Sequence, residues 1–149
     1  MPANITDLTQ RPPRSPRVRL GGYCILPRVL DKGRALVAGK IGEYKFACPL
    51  DQQFLQFAGI DSGKLKKQLE TGKGDGAILE WVRKNSSTQP AAAQILAWSM
   101  HQEQRAPSDT EARKYFNDLH EKVAPQRDDL TSWFDLLDAD DFGSFGGKV

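Results

Sequence analysis

Apolar residues recur at helical spacing early in the chain. At 100° per residue, Leu26, Val29, Leu30, Gly33, Leu36 and Val37 fall on one face, with Arg28, Asp31, Lys32 and Ala35 opposite. This predicts an amphipathic helix with a solvated charged side, Pro27 admitted only near its start and Gly39 as its stop. The same punctuation repeats downstream. Pro49 opens a segment with Leu50, Phe54, Leu55, Phe57 and Ala58 that ends at Gly59, and Asp61 or Ser62 caps one with Leu65 and Leu69. Asp75 caps a segment with Ile78, Leu79, Trp81 and Val82, and Pro90 precedes Ile95, Leu96, Trp98 and Met100. Ser108 and Glu111 have capping-box spacing before Tyr115, Phe116, Leu119 and Val123, and Ser132 with Asp135 repeats the signal before Leu136 and Leu137. Strand-like alternation is confined to residues 40–48, where Tyr44, Phe46 and Cys48 oppose Glu43 and Lys45. The expectation is a mainly α, single-domain compact bundle of about six helices with at most one short strand or hairpin.

The ends differ from this middle. Residues 1–19 form an extended Pro/Arg arm with Pro12, Pro13 and Pro16 among Arg11, Arg14, Arg17 and Arg19; residues 20–141 form the helical domain, and 142–149 a flexible Gly-rich tail. At 149 residues one domain buries roughly two thirds of its unfolded surface, so no disulfide is needed. Cys24 and Cys48 are too few for a disulfide framework and read as reduced thiols. The N-terminus lacks the apolar core of a secretory signal and no run approaches the roughly 18 apolar residues of a membrane span, so a soluble, cytoplasmic protein without membrane partners is expected. Charge is lopsided. Residues 1–50 carry nine Lys/Arg against three Asp/Glu, a net +6, whereas residues 101–149 carry six against eleven, a net −5. The two ends should attract each other or separate partners.

One set of short motifs is more specific. Asp7-Leu8-Thr9, Pro12-Pro13-Arg14-Ser15-Pro16, Gly21-Gly22-Tyr23, Leu26-Pro27-Arg28, Asp31-Lys32, Arg34-Ala35, Gly42-Glu43-Tyr44, Cys48-Pro49-Leu50-Asp51 and Phe57-Ala58-Gly59-Ile60 resemble the signature of a bacterial family catalogued as domain of unknown function 5069. The resemblance implies a small, helical, bacterial, cytosolic protein and transfers no catalytic residue.

Candidate chemistry gathers around the first helix. Asp31 stands three residues from both Arg28 and Arg34, and Lys32 one turn after Arg28, which reads either as a surface charge ladder or as an anion clamp. In the clamp, arginine forks take a carboxylate or phosphate, and Asp31 holds them in place. Tyr23 and Tyr44 would line the pocket. Cys48, ahead of Pro49 at a helix start, is the nucleophile candidate, or simply a packed thiol. Glu43 and Asp51 flank it and would form a carboxylate pair if the Gly42 turn folds back; otherwise Asp51 complements the helix N-terminus and Tyr44 packs. His101 and His120 read as surface residues.

Other chemistries lack their patterns. Gly72-Lys73-Gly74-Asp75-Gly76 misses the Walker spacing, no Gly-x-Ser-x-Gly occurs, the cysteines and histidines have no zinc spacing, and no cofactor motif appears. The Asp138, Asp140, Asp141 run lacks the later ligands of a calcium loop and reads as solvated or as meeting the basic arm. The expected function is recognition of a small anionic ligand at the first helix and the Tyr44-Cys48-Asp51 segment. A protein-interaction module using the Pro/Arg arm is the alternative, and a homo-oligomer is left open. Nucleic acid is disfavoured because the overall charge of +2 is nearly balanced and no binding motif appears.

Overall fold

A computed structural model describes residues 6–148. Those residues form seven α-helices and no strand: α1 (Leu26–Val37), α2 (Pro49–Ala58), α3 (Ser62–Glu70), α4 (Asp75–Asn85), α5 (Ala92–Gln104), α6 (Thr110–Val123) and α7 (Trp133–Ser144). The count exceeds the six expected because the Ser132 signal opens a full helix. Asp135 N–H donates to Ser132 Oγ at 3.1 Å, and Ser132 N–H to Asp135 Oδ2 at 3.1 Å. Asp61 caps α3 as expected, its Oδ2 accepting from Lys64 N–H at 2.9 Å. Asp75 does not cap α4. Gly74 holds that position, and Asp75 lies in the first turn.

Segment 40–48, expected as a strand, is a chain of turns. No neighbouring strand offers it a ladder, and its backbone reverses at Gly42 (φ 61°) and Ala47 (φ 59°). The expected alternation is lost: Phe46 packs against the core, whereas Glu43, Tyr44, Lys45 and Cys48 all line one cleft. A lone bridge between Leu20 and Tyr23 is the closest approach to β-structure.

The main correction concerns α1. Expected to be half solvated, it is buried from Leu26 to Ala35 all the way round, whereas Leu36 and Val37 are exposed. Its apolar side joins Phe54, Leu55, Leu65, Leu69, Ile78 and Val82 in the core. Gly33 permits the close crossing with α3, since a Cβ there would lie 2.4 Å from Leu69 Cδ1. Its charged side is covered by the arm, α2, the start of α4 and α7. Arm residues 6–19 lie on the domain, with Pro13 and Pro16 buried and Arg17 paired to Asp135 and Asp138 of α7. The basic end thus meets the acidic one. Residues 1–5 of the arm and Val149 of the tail fall outside the described residues, and α7 continues through Ser144, taking Phe142 and Gly143 of the expected tail into its last turn.

Gly59 ends α2 in the left-handed region at φ 63°, and an added Cβ would meet Ser87 Oγ at 2.1 Å and Ser87 N at 3.1 Å. Gly59→Ala is therefore expected to destabilise by about 1–3 kcal/mol, read as a lower urea midpoint at unchanged slope.

Candidate functional site

Four buried charged residues on one helix need partners, and each finds one elsewhere in the chain, buried in the case of Asp51 and Asp141 and half-buried in that of Arg14 and Asp75. Arg28 Nη1 donates to Asp141 Oδ2 on α7 at 2.7 Å, with Nη2 3.4 Å from Oδ1. Asp31 accepts from the backbone N–H of Arg14 at 2.8 Å and from its guanidinium at 3.0 Å. Lys32 Nζ lies 2.7 Å from Asp51 Oδ1 and 3.4 Å from Cys48 Sγ. Arg34 Nη1 donates to Asp75 Oδ1 at 2.7 Å, and Arg14 reaches the same carboxylate at 2.8 Å. The expected pairing of Asp31 with Arg28 or Arg34 does not occur. Helical spacing made them neighbours, but the arm and three other helices supply better-placed partners. Burial pushes the Asp75 carboxyl up, yet hydrogen bonds from Arg14 and Arg34 outweigh it and hold the group below its ordinary value.

Beside this layer opens a cleft of about 670 Å³. α1 contributes Arg28 and Lys32 to it, the turn segment Glu43, Tyr44, Lys45 and Cys48, and α7 Asp140 and Asp141. Leu8, Leu50, Tyr115, Leu137 and Phe145 supply apolar wall, and Phe145 stacks parallel to Tyr44 at 6.5 Å. Arg28 lies over the Tyr44 ring at 5.5 Å, and Tyr44 Oη donates to Asp141 Oδ1 at 2.7 Å. Burial, then that hydrogen bond, raise the Tyr44 phenol above its ordinary value. Burial and the adjacent Asp141 charge likewise raise the Asp140 carboxyl. Three cationic and three anionic side chains line the recess, so its charge is balanced: Arg28, Lys32 and Lys45 against Glu43, Asp140 and Asp141.

The cleft gathers Arg28, Lys32, Tyr44, Glu43 and Cys48 of the residues expected at a site. It leaves out Asp31, Arg34, Asp51 and Tyr23. Tyr23 is 3% exposed in an aromatic cluster with Phe54, Phe57 and Trp98, at 5.2 Å from the Phe54 ring, so it serves packing. Asp31 and Arg34 lie in the arm's ion-pair layer. Asp51 is fully buried, with Oδ2 accepting from the strained Ala47 N–H at 2.9 Å, and it makes no carboxylate pair with exposed Glu43. Neither histidine lines the recess, and His120 Nε2 contacts the Arg127 carbonyl at 2.5 Å. Sequence reasoning missed Lys45, Asp140, Asp141 and Phe145. The signal available for the aspartates was their place near a helix C-terminus, unfavourable unless a cation meets them.

Cys48 is the N-cap of α2 and partly exposed, whereas Cys24 is fully buried and burial pushes its thiol up to about 11. Among the described residues no group of three or more His, Cys, Asp or Glu side chains is placed to hold a metal ion. None of the helices there is long and apolar enough to cross a membrane. A family model described as a domain of unknown function (DUF5069) matches residues 10–142. No curated protein matches the chain.

Proposed function

The chain belongs to the DUF5069 family, and we propose that it binds a small molecule bearing a carboxylate or phosphate in the cleft between α1, the 42–48 turns and α7. The observation that carries this reading is the convergence of Arg28 and Lys32 of α1 with Tyr44 and Cys48 of the turn segment on one recess of ligand size. Arg28 and Lys32 already have carboxylate partners, so the anionic group of the ligand meets chiefly the free side of Lys45 and the shared donors of Lys32. The Asp140 edge then takes a donor or cationic group of the same molecule. An amphoteric ligand satisfies both edges without leaving a charge unpaired in the recess.

The arm supports a structural role more than an interaction module, because Arg14, Arg17 and Arg19 are paired to Asp31, Asp75, Asp135, Asp138 and Glu103 of the chain itself. The same pairing disfavours phosphate-backbone binding through the arm. Two unpaired thiols fit a reducing compartment, the cytoplasm.

Titrating isotope-labelled protein with phosphoserine, succinate and putrescine tests the reading. Phosphoserine is expected to shift the amide resonances of Tyr44, Lys45 and Asp140 most, and Lys45→Glu, on an exposed side chain, to weaken it about tenfold. Equal affinity for Lys45→Glu, or shifts scattered away from the cleft, would sink the proposal.

A further inference from the structure

Cys48 stands outside the apolar core and lines a charged recess. Its surroundings are those in which thiols react: the N-terminus of α2, partial exposure, and an ammonium, Lys32 Nζ, at 3.4 Å. Lys32 cannot swing away, because it is 2% exposed and anchored to Asp51 at 2.7 Å. The recess into which Sγ opens is lined by Lys45, Glu43 and Asp140 beside the already paired Arg28, Lys32 and Asp141, and by an apolar wall. A molecule carrying carboxylates, an ammonium group and a sulfur would match all of these at once.

We propose that Cys48 is a site of mixed-disulfide formation with an amphoteric, amino-acid-derived low-molecular-weight disulfide held in the cleft; this rests on the cleft being the ligand site. Cys48 Sγ attacks one sulfur of the bound disulfide, so a protein–ligand S–S bond forms as the ligand's own S–S bond breaks. The departing sulfur leaves with the electron pair and takes up the proton that Cys48 gives up, emerging as a free thiol. The Cys48 sulfur is oxidised, the departing sulfur is reduced, and the disulfide is the only oxidant required. Lys32 stabilises negative charge on Sγ during attack. A reverse exchange with excess free thiol restores the protein.

The test is exposure of the full chain, folded and in urea, to glutathione disulfide and to cystamine, which carries only ammonium groups. Intact mass and peptide mapping follow the adduct. The expected result is an adduct on Cys48 and none on Cys24, with the ratio of glutathione-disulfide to cystamine rates about tenfold higher in the folded chain than in urea. An unchanged ratio, or Cys24 reacting as fast as Cys48, overturns the proposal. Cys48→Ser titrated with S-methylglutathione separates the two readings. Shifts at Lys45 and Asp140 with no adduct on the native chain leave the cleft standing and remove the thiol step, whereas absent shifts remove the cleft reading itself.

Discussion

Asp51→Ala is expected to lower the unfolding free energy by about 3–5 kcal/mol, the range for removing one partner of a buried ion pair. Asp51 is fully buried, and its carboxylate serves two tasks: Oδ1 faces Lys32 Nζ at 2.7 Å, and Oδ2 accepts from Ala47 N–H at 2.9 Å. Alanine leaves an ammonium that is 2% exposed with only a thiol for company, and releases the left-handed turn at Ala47 that aims Cys48. Urea denaturation followed by tryptophan fluorescence measures the loss. The paired variant Lys32→Met/Asp51→Leu removes both charges and is expected to recover most of it, since apolar replacement of a whole buried pair is often neutral. If the double variant is as unstable as Asp51→Ala, the cost lies in the Ala47 turn and the ion pair matters little.

Asp141→Ala is expected to cost about 3 kcal/mol and to abolish ligand binding in the cleft. Its carboxylate is the partner of Arg28, which is 3% exposed, and it also receives the Tyr44 hydroxyl. Without it Arg28 keeps the Arg14 carbonyl at 3.3 Å, the end of α7 loses its tie to α1, and Tyr44 loses its tie to α7. The neighbouring Asp140→Asn should have the opposite sign. A carboxyl whose folded pKa is raised by burial and by Asp141 makes no penalty below its ordinary value and its full penalty above the folded one, so the amide is expected to raise Tm slightly at pH 7 and to make no difference near pH 3. Thermal melts of the two variants at both pH values decide this; a lower Tm for Asp140→Asn at pH 7 contradicts it.

Several helix starts were legible in the sequence because their causes are local, although Gly74 and not Asp75 is the N-cap of α4, and Asp109 and not Ser108 caps α6. Ser132 with Asp135 and Asp61 with Lys64 act within one turn, and proline opens α1 and α2 in the same way. The turn segment was misread because period-2 alternation reports only that successive side chains face apart. Tyr44 and Phe46, two residues apart and so expected on one side, face different ways here, because the backbone has no ladder partner to hold it extended. The charged side of α1 was misread as solvated for a related reason. Nothing local distinguishes Arg28 in water from Arg28 against Asp141, 113 residues on. The thiol's candidacy was legible from Pro49, but its ammonium neighbour was not, since Lys32 and Cys48 are brought together by the α1–α2 crossing.

Helical proteins ordinarily fold fast because their contacts are short in sequence. Here α1 cannot be buried at low cost until its charges are met from 14 to 113 residues away, by Arg14 on one side and by Asp51, Asp75 and Asp141 on the other. The helix at the centre is consequently expected to settle late. Lys32 and Arg34 are met by α2 and α4, whereas Arg28 waits on α7, so closing that longest loop is expected to slow folding below the rate that helix content alone would give.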